Sequence, residues 1–79
     1  MADMKEILET IILSLVDDKS AVKIEEKIDE KTISFEVNVA DKDMGKVIGK
    51  DGKVAKSIRT VMKAVGGRER KKVSIEFVE

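Results

Sequence analysis

Residues 45–59 read GKVIGKDGKVAKSIR, and this run shapes the first expectations about the chain. Gly49 and Gly52 stand three positions apart, between two segments with helical spacing. Glycine has no Cβ, so such a turn can adopt positive φ and a ligand can approach its backbone closely. The first amides of a helix starting at Lys53 would face that space, where the helix dipole favours an anion. The run therefore predicts a phosphate-binding turn between two helices.

Other phosphate-binding motifs do not fit this spacing. A Walker A loop needs four residues between its first glycine and G-K-[ST]. Here Gly45 and Gly49 enclose only three, and Asp51 stands where serine or threonine is required. A dinucleotide fingerprint needs G-x-G-x-x-G directly after a strand, and the sequence contains no such triplet. Nucleotide-binding folds of these two kinds are therefore excluded.

Helical spacing extends on both sides of the glycine turn. A helix is predicted from Lys53 to about Val65, ended by Gly66-Gly67, and a shorter one over 42–48, capped by Asp41. The apolar residues of the longer helix fall on one face. Its cations fall on the opposite face, where we expect a stripe pointing away from the sheet; these are Lys53, Lys56, Arg59 and Lys63.

Further elements flank this pair of helices. Asp3 and Glu6 have capping-box spacing before an apolar face that predicts a helix over 4–16. Alternating apolar residues predict strands over 21–28 and 32–39, and a third at Val73, Ile75 and Phe77. The order is α-β-β-α-α-β, an α+β fold with a three-stranded mixed sheet packed on three helices. A right-handed connection makes strands two and three parallel and places strand two in the centre.

Length and composition restrict the function. Seventy-nine residues make one domain, over 1–79, with a modest core. The chain has neither cysteine nor histidine, so its serines lack the usual activating base and the usual soft metal ligands are missing. We therefore expect no enzyme, no metal and no cofactor. The N-terminus has charges within its apolar residues and does not read as a signal peptide, which fits a cytoplasmic protein.

The net charge of zero averages two opposite parts of the chain. Residues 1–40 carry five lysines against ten carboxylates, whereas residues 41–72 carry eleven cations against four carboxylates. A basic segment on a neutral protein favours one surface that faces an anion. Lysines that merely solvate helix faces explain the same numbers about as well.

The motif segment resembles the KH consensus G-x-[IV]-I-G-K-x-G-x-x-[apolar]-K-x-I-R. The element order is that of a type II KH domain, and the whole chain is similar to the small stand-alone bacterial KhpA family. The resemblance implies a protein that binds single-stranded RNA, with a role as a post-transcriptional RNA chaperone or regulator. It also implies a homodimer and a possible heteromer with a larger KhpB (Jag)-like KH protein. The sequence has no continuous apolar run, so no membrane-spanning segment is expected.

By this resemblance, the loop Gly49–Gly52 holds the RNA backbone. The variable loop at the other end of the long helix, residues 66–72, would border the same groove. The RNA-binding residues implied are Lys46, Val47, Ile48, Gly49, Lys50, Asp51, Gly52, Lys53, Val54, Lys56, Arg59, Arg70 and Lys72. Which apolar positions line the groove and which anchor the helices stays open, among Val47, Ile48, Val54, Ala55 and Ile58.

Two departures from the family pattern favour weak sequence selectivity. Asp51 places a carboxylate beside Lys50 in the loop, and Ala55 replaces a common isoleucine, which should make the groove shallower. Both aromatic residues, Phe35 and Phe77, lie in core phase, so platforms for base stacking are not expected. The alternative function is a KH-fold interaction module that acts through homo- or heterodimerisation and binds little RNA.

Overall fold

The first helix closes one side of the core. In the computed structural model, which describes residues 3–78, α1 spans Met4–Leu15. The Asp3 carboxylate accepts the Glu6 backbone N–H at 2.8 Å and thereby caps the helix. Met4, Leu8 and Ile12 are buried along one face. The predicted helix is confirmed to within one residue at its C-terminal end.

Three strands form one mixed sheet. These are β1, Lys23–Ile28; β2, Thr32–Asn38; and β3, Lys72–Val78. β2 is central, antiparallel to β1 and parallel to β3, as the right-handed connection predicts. β1 begins two residues later than predicted, because residues Lys19–Ala21 form a turn of 3-10 helix after α1.

Two helices connect β2 to β3. α2 spans Met44–Ile48 and α3 spans Lys53–Gly67. The capping role predicted for Asp41 is wrong. Asp41 is the first residue of a 3-10 turn, Ala40 occupies the cap position of that turn, and no side chain makes a capping hydrogen bond there. The predicted end of α3 is also wrong, because both Gly66 and Gly67 are helical.

The end of α3 is set by the residues that follow it. Arg70 has φ of 58°, in the left-handed region. Its N–H donates to the Gly67 carbonyl at 3.2 Å, and the Lys71 N–H donates to the Gly66 carbonyl at 3.1 Å. This pair of bonds is a Schellman motif, which usually has glycine at the left-handed position. An arginine holds that position here.

The core lies on one face of the sheet. Ile33, Phe35 and Val37 of β2 are buried against α1 and α3. The opposite face carries the alternate residues, among them Thr32, Ser34 and Glu36, and is called the open face below. The helices, with the loop between α2 and α3, thus share one side of the sheet.

Between residues 3 and 78 no helix is long and apolar enough to cross a membrane.

Candidate nucleic-acid interface

The loop between α2 and α3 depends on left-handed backbone at three of its four residues. Gly49 has φ of 76°, Asp51 of 56° and Gly52 of 74°. A Cβ on Gly49 would lie 2.4 Å from Cγ2 of Val54, so no other residue fits there. A Cβ on Gly52 would meet no atom within 4 Å. Gly52 therefore keeps open space in front of the α3 N-terminus.

Asp51 occupies its position for a conformational reason. Aspartate is one of the few residues that enter the left-handed region readily, because its short polar side chain bonds locally. Its side chain and that of Lys50 are both exposed. Asp51 departs from the family pattern, because its carboxylate lies in a loop that is expected to face phosphate. Aspartate is nevertheless compatible with the positive φ that the loop requires at this position.

The apolar positions of the motif divide into two groups. Val47, Ala55 and Ile58 are 0%, 2% and 4% exposed and anchor the two helices. Ile48 and Val54 are half-buried and keep part of their surface open beside the loop. The expectation that Ala55 makes the groove shallower is wrong, because this side chain lies inside the protein. Val47 likewise presents no side-chain surface to a ligand.

The cations of α3 do not form one uniform stripe. Lys53 and Lys56 are exposed and, within the part of the chain that is described, form no salt bridge. Arg59 instead turns back onto the sheet. Its Nε donates to the Ile75 carbonyl of β3 at 3.3 Å, and its guanidinium lies 5.5 Å from the centre of the Phe77 ring. The prediction that Arg59 points away from the sheet is therefore wrong.

Lys46 lies in a cluster with two carboxylates. Its ammonium pairs with Asp17 and lies 3.3 Å from Oδ1 of Asp43. The hydrogen bond to Asp17 raises the pKa of Lys46, and the pairing with Asp43 adds to that rise. Its positive charge is offset before any ligand arrives, unlike the charges of Lys50 and Lys53.

Asp43 is a site residue that the sequence analysis missed. Its fully buried carboxylate accepts the backbone N–H groups of Asp18 at 2.9 Å and Asp17 at 3.2 Å. The bond from Asp18, more than any other cause, lowers the pKa of Asp43. Asp43 thus ties the start of α2 to the turn after α1. No periodicity marks such a residue, since its partners lie 25 and 26 positions away.

The basic segment 66–72 lies far from the loop. It follows the C-terminus of α3, whose fifteen residues span about 22 Å. The Lys72 N–H donates to the Lys31 carbonyl at 2.8 Å, beside the turn between β1 and β2. The expectation that this segment borders the same groove as the loop, from the other end of α3, stays a prediction. Arg70 and Lys72 would meet a different part of a bound strand.

An α-β-β-α-α-β chain with a central parallel strand and a G-x-x-G turn between α2 and α3 defines a type II KH domain. The comparison with family models agrees, because residues 5–77 match the model described as "KhpA/KhpB, KH domain". The chain belongs to this family. A KH-domain family is not one of enzymes, which confirms the expectation drawn from composition.

Curated relatives are similar over nearly their whole length. A protein of Clostridium acetobutylicum named "RNA-binding protein KhpA" is 51% identical over 95% of this chain and all of its own. Proteins of the same name from Aquifex aeolicus and Listeria monocytogenes are 39% and 38% identical, over 100% and 96% of this chain and all of their own. No solved structure was found to match.

Proposed function

We propose that this protein binds single-stranded RNA, with the loop Gly49–Gly52 against the phosphodiester backbone. The observation that carries the proposal is the open space in front of Gly52 at the start of α3. The relatives named as RNA-binding proteins support it. G-x-x-G loops of KH modules hold about four nucleotides.

The α3 N-terminus supplies the attraction for a phosphate. This helix has fifteen residues, and no side chain caps its first turn. The Lys53 N–H donates to the Lys50 carbonyl. The other N–H groups of the first turn, which an α-helix leaves without intrahelical partners, face the space before Gly52. Lys50, Lys53 and Lys56 add exposed cations around the same space. Backbone amides and lysines together bind phosphate without reading the bases.

The half-buried side chains of Ile48 and Val54 give the bases an apolar surface beside the loop. Phe35 is 2% exposed, and Arg59 lies over Phe77, so neither ring is free for stacking in the described fold. Apolar contact without an aromatic platform favours modest selectivity among bases. A role as an RNA chaperone or post-transcriptional regulator fits binding of this kind.

Association with a second copy or with a larger KH protein stays a prediction by family resemblance. The large apolar side chains that are most exposed among residues 3–78 are Ile28, 63% exposed on β1, and Val61, 48% exposed on α3. Polar substitution of each, followed by sedimentation analysis, would locate an interface. RNA binding by the loop does not depend on that result.

The test compares Gly52→Asp with Gly52→Asn. Both residues enter the left-handed region with similar ease and have the same size, and the site has room for either. They differ in charge and in the N–H donors of the asparagine amide. We expect Gly52→Asp to weaken binding of a four-nucleotide RNA at least about tenfold through repulsion of phosphate, and Gly52→Asn to weaken it much less. Fluorescence anisotropy measures both affinities, and thermal melts verify the folds.

Equal affinities of the two variants and the parent protein would remove the loop from the RNA interface. If the parent itself binds no single-stranded RNA at low salt, the alternative of an interaction module would replace the proposal.

A further inference from the structure

The outer edge of β1 is an open edge of the sheet. β1 pairs with β2 on one side only. Five of its six residues are exposed, and Ile28 at its end is 63% exposed. The opposite edge is covered in part, because the Nε of Arg59 donates to the Ile75 carbonyl of β3. An uncovered edge strand is a template for pairing with another strand.

The hairpin shows which backbone groups of β1 face outward. The Asp29 N–H donates to the Thr32 carbonyl at 2.8 Å, so these opposed residues form a hydrogen-bonded pair. Such pairs alternate along an antiparallel ladder, and every second residue of β1 therefore points its N–H and C=O away from β2. The residues with outward groups are Ile24, Glu26 and Ile28. No backbone group of 3–78 outside the sheet bonds to them.

A second copy of β1 fits this edge in one register. Two antiparallel copies in one sheet are related by a two-fold axis normal to it, so each residue keeps its own face. The outward groups of Ile24 then meet those of Ile28 of the second copy, and Glu26 lies opposite Glu26. In this register Glu25 lies opposite Lys27 of the second copy, and Lys27 opposite its Glu25. A shift by two residues, the smallest that keeps the faces, opposes Glu25 to Glu25 or Lys27 to Lys27.

The charges on the open face favour this register over its neighbours. Glu25 and Lys27 fall at non-hydrogen-bonded positions of the joint ladder, where opposed side chains come closest. Within residues 3–78, Lys27 forms no salt bridge, and Glu25 pairs only with Lys23, 3.4 Å away on the same exposed strand. Both side chains can therefore meet a second copy. Opposite charges across strands stabilise pairing and like charges destabilise it.

We propose that two copies of this chain associate through β1 into one continuous sheet, with Glu25 of each copy paired with Lys27 of the other. The charges that guard this edge against other strands then select a second copy in a single register. The interface goes beyond the proposed RNA binding and does not depend on it. Because the axis is normal to the sheet, both helical layers and both loops lie on the same side of the joint sheet.

Charge reversal with rescue tests the pairing. Lys27→Glu or Glu25→Lys alone opposes like charges twice in the dimer, and we expect each to weaken self-association at least about tenfold in sedimentation equilibrium. An equimolar mixture restores both opposite-charge pairs and should associate about as tightly as the parent protein. Lys42→Glu and Glu9→Lys reverse exposed charges outside β1 and change the net charge equally, so they form the control pair. Each control, alone or mixed, should associate like the parent.

Loss of association in both variants without rescue in their mixture would overturn the proposed pairing. So would association of either variant alone that matches the parent, which would place the interface elsewhere. Equal rescue or gain in the control mixture would assign the effect to net charge, again against the proposal. A parent protein that stays monomeric up to about 1 mM would overturn it outright.

Glu26 gives a test in the opposite direction. Its carboxylate meets its own copy at the axis, which is the one like-charged contact of this register. We therefore expect Glu26→Gln to tighten self-association about threefold, whereas Glu30→Gln in the exposed hairpin turn should not. Weaker association of Glu26→Gln than of the parent would contradict the register.

Cysteine crosslinking reads the register directly, because the chain has no cysteine of its own. Glu26→Cys brings two cysteines opposite each other, at a Cα separation of about 5.5 Å that a disulfide spans. Glu25→Cys and Lys27→Cys lie opposite themselves only in the shifted registers. Under mild oxidation we expect covalent dimers of Glu26→Cys to form at least about tenfold faster than those of the other two. Equal or faster crosslinking of either, or of Val61→Cys on the exposed side of α3, would overturn the proposal.

Discussion

Asp43 positions the candidate site from inside the protein. Its buried carboxylate joins the backbone after α1 to the start of α2, which leads directly into the loop. The same carboxylate pairs with Lys46 and so withdraws that lysine from the exposed cations. A single residue therefore influences both the position of α2 and the charge beside the loop.

The lowered pKa of Asp43 predicts acid sensitivity. Its ordinary value is 3.8, and its folded value is lower because of the bond from the Asp18 N–H. The stabilisation it provides is therefore present above its ordinary pKa and is lost as the pH falls through the lowered value. We expect Asp43→Asn to reduce stability at neutral pH and to flatten the decline below about pH 4.

Urea unfolding between pH 2.5 and 7 measures this effect. Asp17→Asn is the control, since it changes an exposed partner of the same lysine. Parallel pH profiles for Asp43→Asn and the parent protein would show that this carboxylate has no part in acid unfolding.

Arg70 holds a left-handed conformation that suits glycine better. The energetic cost for a residue with a Cβ exceeds the entropy that glycine loses on folding. We expect Arg70→Gly to raise the free energy of unfolding by about 0.5–1 kcal/mol. Arg70→Ala, which keeps a Cβ, should leave it nearly unchanged. Thermal melts of the two variants compare them directly, and equal melting temperatures would contradict this account of the motif.

At the scale of elements, packing rather than propensity determines where α3 ends. Gly66 lies inside the helix because a Cβ there would come within 2.2 Å of Cγ2 of Val73 and 3.2 Å of the Lys71 carbonyl oxygen. Glycine at this position lets α3 approach β3 closely. Gly67 is also helical, but a Cβ there would meet nothing within 4 Å. Adjacent glycines in one helix thus have different reasons for being present.

Alanine substitution separates these two glycines. Gly66→Ala forces β3 away from α3 and should destabilise the protein by about 1–3 kcal/mol. Gly67→Ala improves helix propensity without a clash and should stabilise it by about 0.5–1 kcal/mol. Denaturant unfolding of both variants gives the signs. Destabilisation by Gly67→Ala would show that α3 does not remain helical to its last residue.

Over the whole molecule, charge is separated between surfaces. The acidic half of the sequence supplies α1, β1 and β2. The loop, α3, the turn after α3 and the start of β3 carry most of the cations. Salt bridges modify this pattern, because the carboxylates of Asp17 and Asp43 offset the positive charge of Lys46. The cations that remain next to the loop are Lys50, Lys53 and Lys56.

The number of exposed cations predicts the salt dependence of RNA binding. Three phosphate contacts on a four-nucleotide RNA should give a log–log slope of about −2.1, at about −0.7 per contact. Lys53→Gln should reduce the slope by about 0.7, whereas Lys46→Gln should leave it almost unchanged. Anisotropy titrations at several salt concentrations measure these slopes. A reduction by Lys46→Gln equal to that by Lys53→Gln would mean that RNA displaces Asp17 from Lys46.

Local patterns in the sequence were enough to predict the element order, the central parallel strand and the glycine loop. Apolar periodicity reports which face of an element is buried, and glycine spacing reports where the backbone must turn, so both can be read within a few residues. Four features could not be predicted from such local patterns. They are the burial of Val47 beside a half-exposed Ile48, the contact of Arg59 with β3, the pairing of Lys46 with carboxylates and the need for glycine at position 66. Each depends on a partner in another element, and its position exists only once the chain has packed.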